Sequence, residues 1–169
     1  CVKAKKNFKK IRSVTKVSWK NLTDFSGKFD WVWACPTETS CGLKIPIAEL
    51  KKFSRKIKAK LALDATASIG LELDHELADV ISYSSCKGLF GLTGACFISY
   101  NLNPENKVNS FILDINSHIE KKMTGPYHAI QSLEKILSKH KLSESSILTF
   151  DNNFMIWLIM KNVKSLKII

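Results

Sequence analysis

At Ile47 the spacing of apolar residues changes, and that change constrains the fold more than any other feature of the chain. Ile47, Leu50, Phe53, Ile57 and Leu61 recur every three to four positions, the period of one face of a helix. Pro46 stands near the first turn, while Lys51, Lys52, Arg55, Lys56, Lys58 and Lys60 form the outward face. A second stripe, Ala129, Ile130, Leu133, Ile136 and Leu137, follows Pro126. It ends at Lys139, His140 and Lys141, where the helix dipole favours cations. Elsewhere the chain reads as strand. "KFDWVWACP", 28–36, is rich in Trp, Val and Phe and closed by Pro. "ACFISYNL" and "VNSFILDIN" flank "NPEN" as a hairpin, and "SILTF" and "FMIWLIM" flank "DNN" as another. "VKSLKII" reads as a last strand. Between helix and hairpin, "ASIGLEL" reads as strand, "DHELADV" as a turn or short helix, and "VISYSS" as strand again. The expected fold is α+β: a mostly antiparallel sheet with two principal helices. It occupies a single domain, 28–169, after a basic N-terminal segment, 1–27.

The basic segment is one end of a marked asymmetry. The net charge is +11, yet residues 1–60 hold 16 Lys/Arg against 4 Asp/Glu, so the whole excess lies in the first third. Such a block suits an acidic partner protein or an immunity protein, and nucleic acid or an anionic membrane stays open. No sequence-reading nucleic-acid motif accompanies it. An apolar content of 45% argues against disorder, and 169 residues can bury a core without metal or disulfide support. No run reaches the roughly 18 apolar residues of a membrane span. The chain opens on Cys1 rather than Met and shows no signal peptide, so a mature product, a processed fragment or an excised domain is expected.

Five cysteines, at 1, 35, 41, 86 and 96, leave at least one unpaired within a monomer. Local bridges Cys35–Cys41 and Cys86–Cys96 with a lipidated Cys1 would describe a bacterial envelope lipoprotein, a non-enzymatic interaction module on a roadblock-like or longin-like scaffold. Its place would be the periplasm. No cysteine pair has C-x-x-C spacing, and no Cys/His cluster suggests zinc. In "HELAD", His75 and Asp79 would share a helical face as metal ligands do, but no third ligand stands out and a surface turn is the plainer reading. "GLFGLTG" lacks the G-K-[ST] of a phosphate loop. That leaves Cys96 and His118. At the start of one hairpin strand and just beyond the other, they would be neighbours, so that an imidazole can take a thiol proton. The alternative is a cysteine buried as a small hydrophobe.

"LTGAC", followed by a hairpin ending in His118, resembles the Cys–His deamidase superfamily, which includes the chemotaxis-receptor glutamine deamidase and the catalytic domain of cytotoxic necrotizing factor. The order of elements through "HIEKKMTGPYHAIQSLEKILSKHKLSESSILTF" is similar as well, so the resemblance covers about 88–150. It implies a possible cysteine amidohydrolase with Cys96 as nucleophile and His118 as general base, without metal or cofactor. The substrate would be a protein glutamine side chain, with ammonia released and the thioester hydrolysed, or passed to an amine as in transglutamination. It further implies a toxin or effector domain, secreted or delivered into a target cell. One residue more than in the tightest form of the motif separates Gly94 from Cys96, and no third group is placed to orient His118.

Overall fold

The computed structural model describes residues 11–102, 112, 114–121 and 125–140, together with 147–150 and 154–157. Strand β1, Trp31–Ala34, leads through the two-residue strands β2, Thr37–Glu38, and β3, Leu43–Lys44, into helix α1, Ile47–Lys56. Strand β4, Lys60–Asp64, follows, then β5, Val80–Ser84, β6, Cys96–Tyr100, and the helices α2, Ile115–Lys121, and α3, Tyr127–His140. Strands β7, Ile147–Phe150, and β8, Phe154–Trp157, pair antiparallel with each other.

The α+β class holds, and the main sheet is mixed. Its order is β1-β4-β5-β6, with β1, β4 and β5 parallel and only β6 antiparallel. The expected antiparallel predominance fails because α1 carries the chain back to the start of the sheet between β1 and β4. A crossover of that kind joins parallel strands.

Helix α1 forms where the stripe predicts it, burying Ile47, Leu50 and Phe53. It stops at Ile57, and Lys58 takes a left-handed turn at φ 56°. Leu61, the stripe's last member, therefore lies in β4, where Leu61 and Leu63 alternate into the core. There they meet Ile81 and Tyr83 of β5 and Phe97 of β6, with Ala129 and Leu133 of α3 also in the cluster. Tyr83 stacks on Phe97 with ring centroids 5.2 Å apart, and burial pushes its phenol up to about 12. Removing these side chains from water is the main stabilising term.

One expected strand is not a strand. "ASIGLEL" is a succession of turns: Ser68 and Ile69 N–H groups donate to Ala65 O, and Leu71 and Glu72 to Ser68 O, with Gly70 at φ 80°. The expected partner of "ACFISYNL" lies mostly outside the described residues, and its end, from Ile115, is helix α2. β6 pairs instead with β5, Cys96 opposite Ser84. "VKSLKII" lies outside the described residues.

Candidate functional site

Three loops leave the C-terminal ends of the three parallel strands, where ligand crevices form in open α/β sheets. The loop after β1 carries Cys35, Pro36, Thr37 and Glu38. β4 ends on Asp64, and the loop after β5 carries Ser85, Cys86 and Lys87. The last two are fastened to each other. Thr66 N–H donates to Asp64 Oδ1 across 3.1 Å. The carbonyl of the same Thr66 accepts from Gly88 N–H at 3.0 Å. Gly91 N–H donates to Ser85 O at 2.7 Å, and Ser85 Oγ to Leu92 O at 2.5 Å, closing the turn that holds Lys87. A carboxylate and a primary amine, Asp64 and Lys87, thus stand on neighbouring loops joined by one backbone bridge.

The electrostatics of Cys35 record the convergence. Burial pushes its thiol up, the carboxylates of Asp64 and Glu38 add to that, and the Lys87 ammonium opposes them. One thiol senses all three charges. Its Sγ donates to Thr37 O at 3.4 Å. Thr37 Oγ1 is buried with no hydrogen-bond partner, and such an atom is costly unless something else occupies it. On the loop after β5, hydrogen bonds from Ser84 and Thr93 and the neighbouring Lys87 lower the Cys86 thiol, with Ser84 Oγ 3.2 Å from Cys86 Sγ.

Behind the loop after β4 lies a buried polar pair. Ser68 Oγ and His75 Nε2 are 2.9 Å apart, and both residues are buried. Burial holds the His75 imidazole below its ordinary value, against the Glu72 backbone hydrogen bond and the carboxylates of Glu72, Glu76 and Asp74. Asp79 accepts from Leu61 N–H at 2.7 Å and pairs with Lys51 at 3.0 Å. The two residues of "HELAD" are therefore engaged with different partners, in a 3-10 turn, His75–Leu77, and just ahead of β5.

Three solved structures share the fold. An alanine–glyoxylate aminotransferase from Nostoc sp. matches at TM-score 0.54 and 22% identity, covering 64% of this chain and 33% of that one. A ureidoglycine–glyoxylate aminotransferase from Bacillus subtilis matches at 0.52 and 19%, covering 65% and 34%. A phosphoserine aminotransferase from Cytophaga hutchinsonii matches at 0.55 and 18%, covering 80% and 49%. The chain thus spans a third to a half of the length of these proteins. No protein-family profile matches the sequence, and no curated protein does.

These matches correct the expected kinship. The fold is shared with part of these aminotransferases and not with the Cys–His deamidases, so the reading as a glutamine deamidase, and with it the toxin or effector, is set aside. The physical reason lies in the two residues it needed. Cys96 is exposed at the head of β6, paired across to β5. His118 lies within α2, its Nε2 2.9 Å from Ile112 O, and not beyond a strand. The hairpin meant to join them is not formed by the described residues. The lipoprotein alternative gains no support either: Cys35, Cys41, Cys86 and Cys96 are free thiols, so neither local bridge forms.

Asp64 and Lys87 went unnoticed in the sequence. The available signal was positional: each directly ends, or follows by three residues, a strand with alternating burial. That becomes meaningful only once the strands are known to be parallel.

Proposed function

We propose that this chain carries the cofactor-holding part of a pyridoxal-phosphate enzyme of the aminotransferase kind. The Lys87 amine would condense with the cofactor's aldehyde carbon, whose oxygen leaves as water, and Asp64 would face its pyridine nitrogen, the pairing such enzymes need. When bound, the group supplies an electron sink for the carbon next to an amino group. The observation that carries the reading is the bridge Asp64–Thr66–Gly88, which sets the carboxylate and the amine of Lys87 on adjoining loops at the mouth of the parallel strands.

The residues fit the group chemically. A carboxylate opposite a ring nitrogen keeps that nitrogen protonated, and Asp64 is kept in position by the Thr66 N–H. Lys87 is exposed and can reach an incoming aldehyde. Thr37 Oγ1, buried and unpartnered, offers a hydroxyl to a polar ligand atom. The amino-donor and carbonyl substrates of the matched enzymes belong to those enzymes.

The test is to incubate the 169-residue chain with pyridoxal 5′-phosphate, reduce with borohydride, and map the stable adduct by mass spectrometry. The adduct is expected on Lys87, lost in Lys87→Arg, and weakened in Asp64→Asn. Labelling spread evenly over the surface lysines, and unchanged in Lys87→Arg, would overturn the reading.

A further inference from the structure

Ser68 and His75 are buried, and the cofactor reading gives neither of them a task. His75 Nε2 lies 2.9 Å from Ser68 Oγ, and the same hydroxyl is 3.4 Å from Ala65 O. The Ser68 backbone holds the turns on either side of it. Its N–H donates to Ala65 O at 3.0 Å, and its carbonyl accepts from Leu71 N–H at 3.0 Å and from Glu72 N–H at 2.9 Å. The next two residues press on the loop after β5. Ile69 O stands where a Cβ on Gly88 would have to go, and a Cβ on Gly70 would lie 3.3 Å from Leu89 Cδ2 and 3.5 Å from Gly88 O. The Ser68 hydroxyl is thus one residue from the contact that clamps Gly88, and Gly88 directly follows Lys87.

The charge on the His75 ring decides whether this arrangement holds. A neutral imidazole can accept the Ser68 O–H at Nε2, whereas an imidazolium carries a proton there and turns the hydroxyl back towards Ala65 O. No ion pair among the described residues reaches His75. Glu72, Asp74 and Glu76 of its own segment favour the charged ring, yet burial outweighs them. Glu72 is itself engaged by Lys44 of β3, and α1, which packs on the His75–Leu77 turn, brings Lys51, held by Asp79. A buried charge with no partner is expelled into water rather than kept. The departing ring leaves the buried Ser68 hydroxyl with the long Ala65 contact alone, at a cost to the turn around it. We infer that Ser68 and His75 form a latch: with the imidazole neutral it holds Ile69 against Gly88 and fixes the Lys87 loop to the Asp64 loop, and with the imidazole protonated it lets the two loops part. Because the folded ring binds its proton less readily than a solvated one, the latch is closed above about 6.5 and opens as pH falls below that value. What opening does to a bound cofactor rests on the reading of Lys87 and Asp64, but the latch does not.

Amide hydrogen exchange of the 169-residue chain, resolved by residue and corrected for the intrinsic effect of pH, tests the latch. The reporter is Gly88 N–H, which donates to Thr66 O, and the control is Ala59 N–H, which donates to Ser54 O at the end of α1. From about pH 7.5 to about pH 5, Gly88 protection is expected to fall roughly tenfold while Ala59 holds. His75→Gln should abolish that fall. Ser68→Ala, which removes the hydroxyl and leaves the ring, should show low Gly88 protection already at neutral pH and little further change in acid. Gly88 protection that stays level in the wild type overturns the inference. So does an equal fall in His75→Gln, or a fall shared by Gly88 and Ala59, which means general acid unfolding. Wild-type behaviour in Ser68→Ala overturns it too, whether or not His75→Gln folds. None of these readings needs pyridoxal phosphate. Gly88 behaving as expected while Lys87 takes no adduct leaves the latch and removes the cofactor, and the reverse result removes the latch alone.

Discussion

Gly88 and Ile69 are packed so closely that a Cβ on Gly88 would overlap the Ile69 carbonyl oxygen. The contact lies one residue from Lys87 and, through the Gly88–Thr66 hydrogen bond, two backbone links from Asp64. It is where the loops after β4 and β5 are clamped together. A substitution there has to move backbone, which is costly in a well-packed region.

Gly88→Ala should therefore destabilise the chain at the upper end of the ~1–3 kcal/mol typical of overpacking. Gly42→Ala is the control: Gly42 has φ 64° but open space around it, so only the ~1 kcal/mol left-handed penalty applies. Urea unfolding of both variants checks the order. Equal losses would show that the two loops separate easily.

Asp79 joins α1 to β4, since it accepts from Leu61 N–H and pairs with Lys51. Burial acts to raise its carboxyl, but the Leu61 hydrogen bond and the Lys51 and Lys60 charges outweigh it and hold the group below the usual aspartate range. Asp79→Asn should cost ~1 kcal/mol at neutral pH, the pair being partly solvated. Because the folded-state value is depressed, this contribution is complete above the ordinary value of about 4 and is lost as pH falls through the lower folded one. Urea midpoints of wild type and variant should converge in acid. A gap that persists there would assign the loss to packing instead.

The elements legible in the sequence were those whose burial repeats with a clean local period. The stripe from Ile47 to Phe53 and the one from Ala129 to Leu133 needed only helical spacing, and Trp31–Ala34 only strand composition. Leu61 joined the first stripe by coincidence of spacing, since Lys58 turns the chain before it. "ASIGLEL" looked like strand because Ile69 and Leu71 are apolar, yet they are tucked into consecutive turns that hydrogen bonds to Ala65 and Ser68 hold. The parallel pairing of β1, β4 and β5 joins residues far apart in sequence, for which local patterns carry no signal. The site depends on that pairing. Asp64 and Lys87 become neighbours only after three strand ends are brought to one edge, whereas the sequence links Cys96 and His118 by a local hairpin that the described residues do not form.

His75 gives the chain a second pH response, of opposite chemical origin to that of Asp79. Its imidazole is held below its ordinary value by burial, beside Ser68 Oγ. The unfolded chain therefore binds this proton more readily than the folded one. Stability should be level above about 6.5 and fall as pH drops below that value. His75→Gln keeps hydrogen-bonding reach towards Ser68 without a titrating ring, so the wild-type decline relative to the variant between neutral pH and pH ~5 isolates the histidine. Parallel curves for the two proteins would mean that His75 opens to solvent before it is protonated.

Cys86 and Cys35 should differ sharply in thiol chemistry despite standing on converging loops. Hydrogen bonds from Ser84 and Thr93, with the neighbouring Lys87 charge, favour the Cys86 thiolate. Burial and the carboxylates of Asp64 and Glu38 disfavour the Cys35 thiolate. The thiolate is the reacting species, so iodoacetamide near neutral pH should label Cys86 well before Cys35. Ser84→Ala removes the 3.2 Å contact to Cys86 Sγ and should slow that labelling while leaving Cys35 as it was. Mass mapping over a time course reads both rates. Faster labelling of Cys35 would mean that the loop after β1 stands away from Asp64 and Glu38, and that the three strand ends do not share one site.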